Sequence, residues 1–383
     1  MISADTLITQ NIPEGVYTVG DKRFVNKVDA LIYSSKHGGH PTWSFHDEWF
    51  SSFDWTVEPS ETLTYFYTQR VQQIRDKYDH IVLHYSGGAD SHNILTHFYL
   101  NNIHVDEILV SLPFSWYNKF KTRSESTAAY DMHNEWIRVI KPDLEWVNKH
   151  MPNTKITLDD YTQQALSFEK NADTNWVTTL GDHLNPNVVA RAGRYHRLST
   201  TDLYNKRKVG HVYGIDKPFV FTVDGKWYSA FLDSFLTMQT PPMQGINDHI
   251  NIEFFYWTPE MPHMIIKQAH AIKNYYQAHT ELLHIASHRA KTPAERELER
   301  DIARQAIYPY WRNSIFQCAK GSGTFIKEHD AWFYEGATQK AIDTYHEGMR
   351  YLTSGIIDKK WFNFTNDGIV SGFTGFWSKW HPL

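Results

Sequence analysis

The residues best suited to chemistry form one short run, Tyr85-Ser86-Gly87-Gly88-Ala89-Asp90-Ser91, set directly after the apolar stretch Ile81-Val82-Leu83. Two adjacent glycines let the backbone take positive φ and bring consecutive N–H groups close to an anion, which is how a phosphate-binding nest is built. A helix starting near Asp90 adds the positive end of its dipole. Ser86 and Ser91 each offer a hydroxyl to a phosphate oxygen, and Asp90 is a hard oxygen ligand of the kind that Mg²⁺ takes beside a polyphosphate. A Gly-rich turn that binds nothing is the alternative, so the flanking elements must decide.

Those elements read as a βαβ unit. From Ser60, taken as an N-cap, Leu63, Phe66, Tyr67, Val71, Ile74 and Tyr78 recur at helical spacing. A strand over residues 80–85, the loop, a helix over about 91–101 with Ile94, Leu95 and Phe98 inward, and a strand over 107–112 follow. This order predicts a right-handed crossover in a parallel sheet. The loop then lies at the carboxyl end of a strand, where doubly wound sheets bind their ligands.

The loop resembles the SGGxDS signature of the PP-loop, or N-type ATP pyrophosphatase, superfamily, with Ser86, Gly87, Gly88, Asp90 and Ser91 at all five specified positions. Asparagine synthetase C-terminal domains, GMP and NAD synthetases, argininosuccinate synthetase and several tRNA-modifying enzymes belong to it. The resemblance covers about residues 61–217, and the overall layout is also similar to asparagine-synthetase-like proteins of tailed phages. It implies an α/β fold with a doubly wound, mainly parallel sheet of the adenine nucleotide alpha-hydrolase type. It further implies ATP held by Ser86 to Ser91, Mg²⁺ on Asp90, and cleavage of ATP to AMP and pyrophosphate. The strand His211-Val212-Tyr213, running into Gly214-Ile215-Asp216-Lys217-Pro218, is placed like the fourth strand of asparagine-synthetase-like domains, although their SGxGxDE pattern is not reproduced. Lys217 has the charge to neutralise a leaving pyrophosphate, with Asp216 beside it as a candidate substrate contact.

Composition agrees with a large enzyme. A chain of 383 residues can bury a sizeable core, and 21% charged residues leave enough apolar material to fill it. The net charge of −5 argues against a generic nucleic-acid coat. The single cysteine, Cys318, excludes an intramolecular disulfide, a thiolate zinc cluster and a thiol pair for sulfur transfer. With neither a basic-then-apolar leader nor an apolar run of membrane length, the expected location is cytoplasmic, with no membrane partner.

Residues 1–59 form a short N-terminal segment with a small strand and helix, and they contain no cysteine to serve as a glutaminase nucleophile. An ATP-binding domain is expected over 60–235, with helical segments around 125–141, 161–169 and 201–208 and a short strand over 155–158. It includes a β-hairpin insertion over 219–231, because Asp224-Gly225 between two β-rich runs is a strong hairpin signal. That hairpin either walls the substrate pocket or is a plain edge hairpin. Residues 236–383 are expected to be mostly helical, over 264–277, 281–289, 293–306 and 337–354, ending in an aromatic, Gly-rich run from 362 to 380 that either packs on the main domain or covers the site.

Other constellations carry less. His284 and His288 are spaced i, i+4 but have no HExxH pattern and no third ligand, so surface or packed histidines are the simpler reading. Arg191, Arg194, His196 and Arg197, joined by Lys206, Arg207 and Lys208, form basic clusters that suit either an anionic substrate, with Arg194 foremost, or a solvated face. No Walker-type GxxxxGK[ST] run is present, which argues against cleavage to ADP. The expectation is an AMP-forming ligase that adenylates a carboxylate or amide oxygen and then transfers ammonia or an amine. The alternatives are a PP-loop enzyme modifying a nucleobase in tRNA or DNA and a non-catalytic ATP- or AMP-binding protein. The acceptor is thus a small molecule or a nucleobase, with a nucleic-acid substrate left open.

Overall fold

The computed structural model describes residues 15–24, 27–112, 114–117, 136–163, 207–214, 217–233, 250–287, 291–310, 336–356, 358–364 and 370–383. The chain opens with strands β1 (Val16–Val19) and β2 (Lys22–Phe24), helix α1 (Lys27–His37) and strand β3 (Thr42–Ser44). The three strands make a small antiparallel sheet in the order β2-β1-β3. Helix α2 (Leu63–Lys77) follows and buries Phe66, Tyr67, Val71 and Ile74 on one face. Its N-cap is Thr62, whose hydroxyl accepts from Tyr65 N at 3.2 Å. The expected cap at Ser60 is therefore corrected by two residues: the Ser60 hydroxyl is turned to Glu61. A hydroxyl cap of this kind contributes about 1 kcal/mol.

The main sheet begins with β4 (His80–His84), every residue of which is buried. Helix α3 (Ala89–Leu100), strand β5 (Glu107–Leu112), helix α4 (Lys141–His150) and strand β6 (Lys155–Asp160) follow, then β7 (Val209–Tyr213). The third strand runs two residues beyond the expected 155–158, because all six of its residues pair in parallel with β5. A hairpin of β8 (Phe219–Val223) and β9 (Lys226–Ala230) precedes β10 (Ile250–Phe254). Five strands join in one parallel sheet, in the order β10-β7-β4-β5-β6. The protein is thus α/β with a five-stranded parallel sheet and helices, an arrangement compatible with a doubly wound fold. Chain order steps outward from β4 through β5 to β6, then resumes on the other side of β4 with β7 and β10, so the strand order reverses between β4 and β7. The parallel sheet also continues past residue 235, since β10 is its fifth strand.

Helices α5 (Pro262–Ala278), α6 (Pro293–Ile307) and α7 (Gln339–Gly355) and strands β11 (Phe362–Phe364), β12 (Val370–Phe373) and β13 (His381–Pro382) complete the described chain. The hairpin turns through Asp224 (φ 49°) and Gly225 (φ 74°), the two positive values that a tight primed turn requires. It is not left as a bare hairpin: β13 pairs with β9 to make a sheet of order β13-β9-β8. Trp377 packs its ring on Phe219 and Phe221, and Phe373 and Phe376 are buried, so the described part of the C-terminal aromatic run packs on the body of the protein.

Of the helix expected over 281–289, the described residues 281–287 do not form an α-helix. A short 3-10 turn, Thr280–Leu282, gives way to further turns, because Ala286 O accepts from Thr222 N at 2.7 Å and the chain is held against β8 instead of coiling on. His284 therefore lies in a turn, with Nδ1 on Glu281 O, and not on the helix that the i, i+4 spacing needed. His288, Cys318, Arg191, Arg194, His196, Arg197, Lys206 and Asp216 lie outside the described residues, as do most of the helical segments expected over 125–141, 161–169 and 201–208. Within the first of these, Trp136–Ile140 forms a π-helical turn that leads into α4.

Candidate functional site at the strand-order reversal

The loop between β4 and α3 sits where the strand order reverses. Gly87 has φ 69°, which a side chain would strain, and a Cβ built there would lie 2.8 Å from Ile140 Cγ1. The loop is thus pressed onto the π-helical turn, and only glycine fits. Gly88 takes the N-cap position of α3 and offers no side-chain cap, so the first-turn N–H groups keep their positive end open to an anion. The two serines brace the loop: Ser91 Oγ accepts from Ser86 N at 3.2 Å and donates to Gly88 O at 3.1 Å, while Ser86 Oγ accepts from Gly88 N at 3.3 Å.

The β7 side closes onto the same point. A Cβ at Gly214 would stand 2.9 Å from the main-chain carbon of Asp90 and from Ser91 N, so this second glycine allows the end of β7 to touch the start of α3. Just beyond it, Lys217 Nζ reaches Asp90 Oδ1 at 2.6 Å, with side-chain exposures of 7% and 28% respectively. Of the residues singled out in the sequence, Ser86, Gly87, Gly88, Ala89, Asp90, Ser91 and Lys217 are brought together. Asp216 and Arg194 fall outside the described residues.

Two groups of residues at this site carry no motif. Tyr308, which follows α6, donates its phenol to Asp90 Oδ1, the oxygen already held by Lys217. Tyr256, which follows β10, donates to Asp90 O at 2.9 Å and accepts from Asn93 Nδ2 at 2.9 Å. Burial pushes the Asp90 carboxyl up, but the charges of Lys217 and Arg304 and the hydrogen bonds from Lys217 and Tyr308 together hold it below the usual carboxylate value. The Tyr308 phenol is pushed well above its usual value by burial and by the charge of Asp90, so it stays a donor. Neither tyrosine has a sequence signal, because each meets the loop only through tertiary packing.

The second group clamps the loop from behind. Tyr85 and His92, the residues flanking the motif, are joined through Tyr85 OH and His92 Nδ1 at 2.9 Å, and Tyr85 OH donates to the buried Asp143 of α4 at 2.6 Å. His92 was visible by position alone; its pairing with Tyr85 and Asp143 was not.

Among the described residues no group of three or more His, Cys, Asp and Glu could hold a metal ion by itself, and no helix is long and apolar enough to cross a membrane. Comparison of the chain with protein-family models, with curated proteins and with solved structures finds no match.

Proposed function

We propose that this site binds ATP with Mg²⁺ and that the protein is an AMP-forming ATP pyrophosphatase or ligase. The observation that carries the reading is the meeting of Lys217 with Asp90 at the reversal of strand order, where doubly wound sheets take their ligands. The donor set fits the nucleotide: an uncapped helix N-terminus, a loop turned by the positive φ of Gly87 with Gly88 extended, and one ammonium suit a polyphosphate. It also fits the cation, since Mg²⁺ is commonly held by one or two carboxylates together with phosphate and water oxygens. Asp90 would be its protein ligand, and the ion would supply charge neutralisation on the phosphates.

The chain's own residues then position and neutralise. The loop N–H groups and the Ser86 hydroxyl hold the phosphates, Ser91 bracing the loop, and Lys217 faces the pyrophosphate that leaves as an oxygen of the acceptor bonds to the α-phosphorus. Ammonia or an amine next attacks the activated carbon, AMP departs with the former acceptor oxygen, and a proton is released. A non-catalytic nucleotide-binding protein is the second reading, favoured by the fact that Asp90 is already charge-matched by Lys217 and hydrogen-bonded by Tyr308.

The test is to incubate the protein with ATP, Mg²⁺ and a panel of acceptors, amino-acid carboxylates with ammonia first, then nucleosides and short RNA or DNA. AMP and pyrophosphate in equal amounts are expected. Stoichiometric ADP with free phosphate overturns the pyrophosphatase reading, and tight ATP binding with no turnover on any acceptor moves the conclusion to the second.

A further inference from the structure

We propose that Tyr308 is a positioning residue of this site: held at the end of α6, its phenol fixes the Asp90 carboxylate so that the second oxygen, Oδ2, is presented to the cation that arrives with the nucleotide. The inference rests on the nucleotide reading above and assigns a residue to it from a part of the chain 218 positions away from Asp90.

The geometry makes a division of labour between the two carboxylate oxygens. Tyr308 OH and Lys217 Nζ both donate to Oδ1, and no donor among the described residues reaches Oδ2. With 28% of the side chain exposed, Oδ2 is the oxygen left for a ligand. Two donors on one oxygen hold the carboxylate in one rotamer and one tilt, so a cation meets a ligand that needs no reorganisation.

Tyr308 is itself well placed to act as the fixed point. It is 3% exposed, its ring lies 5.4 Å from that of Tyr256, and Lys217 Nζ stands 5.8 Å from its ring centroid. The preceding residue is anchored to α2, where Tyr67 OH donates to Ile307 O at 3.0 Å. Tyr256 complements it by holding the main chain of Asp90, so two phenols set the side chain and the backbone of one residue. The aromatic ring alone would fill the space. The hydroxyl is what addresses Asp90.

Tyr308→Phe separates these roles, since it keeps the ring and removes the donor. ATP affinity is measured by calorimetry for wild type and Y308F, in Mg²⁺ and in EDTA. The wild type is expected to gain affinity from Mg²⁺. Y308F is expected to lose about tenfold of that gain, the effect of one charge-assisted hydrogen bond, and to match wild type in EDTA within roughly twofold. Ligand-free hydrogen exchange is measured alongside, with faster exchange expected in Y308F at the amides of 89–92 and 304–308. A fully retained Mg²⁺ gain, an equal loss with and without Mg²⁺, or unchanged exchange in both segments overturns the proposal. Wild-type protein that binds no ATP in either buffer overturns the nucleotide reading instead, and the exchange comparison then decides by itself whether Tyr308 positions Asp90.

Discussion

Lys27, Asp233 and Tyr17 in one region, and Lys217, Asp90 and Tyr308 in another, make the same arrangement: an ammonium and a phenol donating to one carboxylate. They differ at the oxygen left over. In the first, Lys27 and Tyr17 take Asp233 Oδ2 at 2.9 and 2.7 Å, and Phe376 N takes Oδ1 at 2.7 Å, with the aspartate wholly buried. In the second, both donors crowd onto Oδ1 and the aspartate keeps a face toward solvent. The closed cluster ties β1, α1, the end of the hairpin and the C-terminal aromatic run together. The open one leaves a carboxylate oxygen with no donor among the described residues, at the end of a parallel sheet. Identical side-chain types thus build a sealed or an open carboxylate according to whether the second oxygen has a donor.

The closed cluster should be the more sensitive of the two to substitution. Asp233→Ala takes the carboxylate away from the buried Lys27 ammonium and the Tyr17 phenol and should cost about 3–5 kcal/mol of unfolding free energy, read as a lower denaturant midpoint. A midpoint no lower than that of Asp90→Asn would erase the distinction between the clusters. Next comes the junction of β7 with α3: Gly214→Ala places a methyl against the main chain of Asp90 and Ser91 and should cost about 1–3 kcal/mol, together with a loss of ATP affinity. Unchanged affinity would mean that the approach of the two elements does not shape the site.

Asp90→Asn probes the open cluster directly. It should lower Mg²⁺-dependent ATP affinity on the order of tenfold while costing only about 1–2 kcal/mol of stability, because the amide oxygen can still accept from Lys217 and Tyr308 and the side chain keeps a face toward solvent. A large stability loss with intact affinity would show the open cluster to be structural after all.

The smallest effect is on pH dependence. Burial lowers His97, on the open side, and His381, stacked on Trp55 on the closed side, to about 4 from the usual 6.5. Their folded values lie below the unfolded one, so each contributes stability that is complete above pH 6.5 and is lost as pH falls toward 4. Glu107 and Glu253 act in a lower window. Burial raises both, but His80, Thr157 and Lys155 around Glu107, and Arg70, Lys77 and Tyr78 around Glu253, bring them to about 2, so their contribution is lost between pH 4.5 and 2. Neither ring nitrogen of His97 has a hydrogen-bond partner among the described residues. His97→Phe should therefore flatten the decline in thermal midpoint between pH 6.5 and 4, and an unaltered slope would rule out His97 as a source of it.

Local chemistry was legible in the chain. The SGGADS run, the βαβ elements on either side of it and the Asp224-Gly225 turn follow from steric rules and periodicities that operate over a few residues, and each lies within a residue or two of its expected place. The departures have neighbours as their cause. The cap moved to Thr62 because Ser60 turned to Glu61, and the helix expected over 281–289 gave way because β8 supplied a competing main-chain donor.

The loop and the helix that follows it are set locally, because glycine conformation and helix polarity need no distant partner. Tertiary packing set β7 beside β4, brought Lys217 and Tyr308 to Asp90, and gave both oxygens of Asp233 a donor while the second oxygen of Asp90 has none among the described residues. Those facts depend on which strands become neighbours and where a buried phenol ends up, and packing energies spread over the whole core choose them; no spacing in the chain records them.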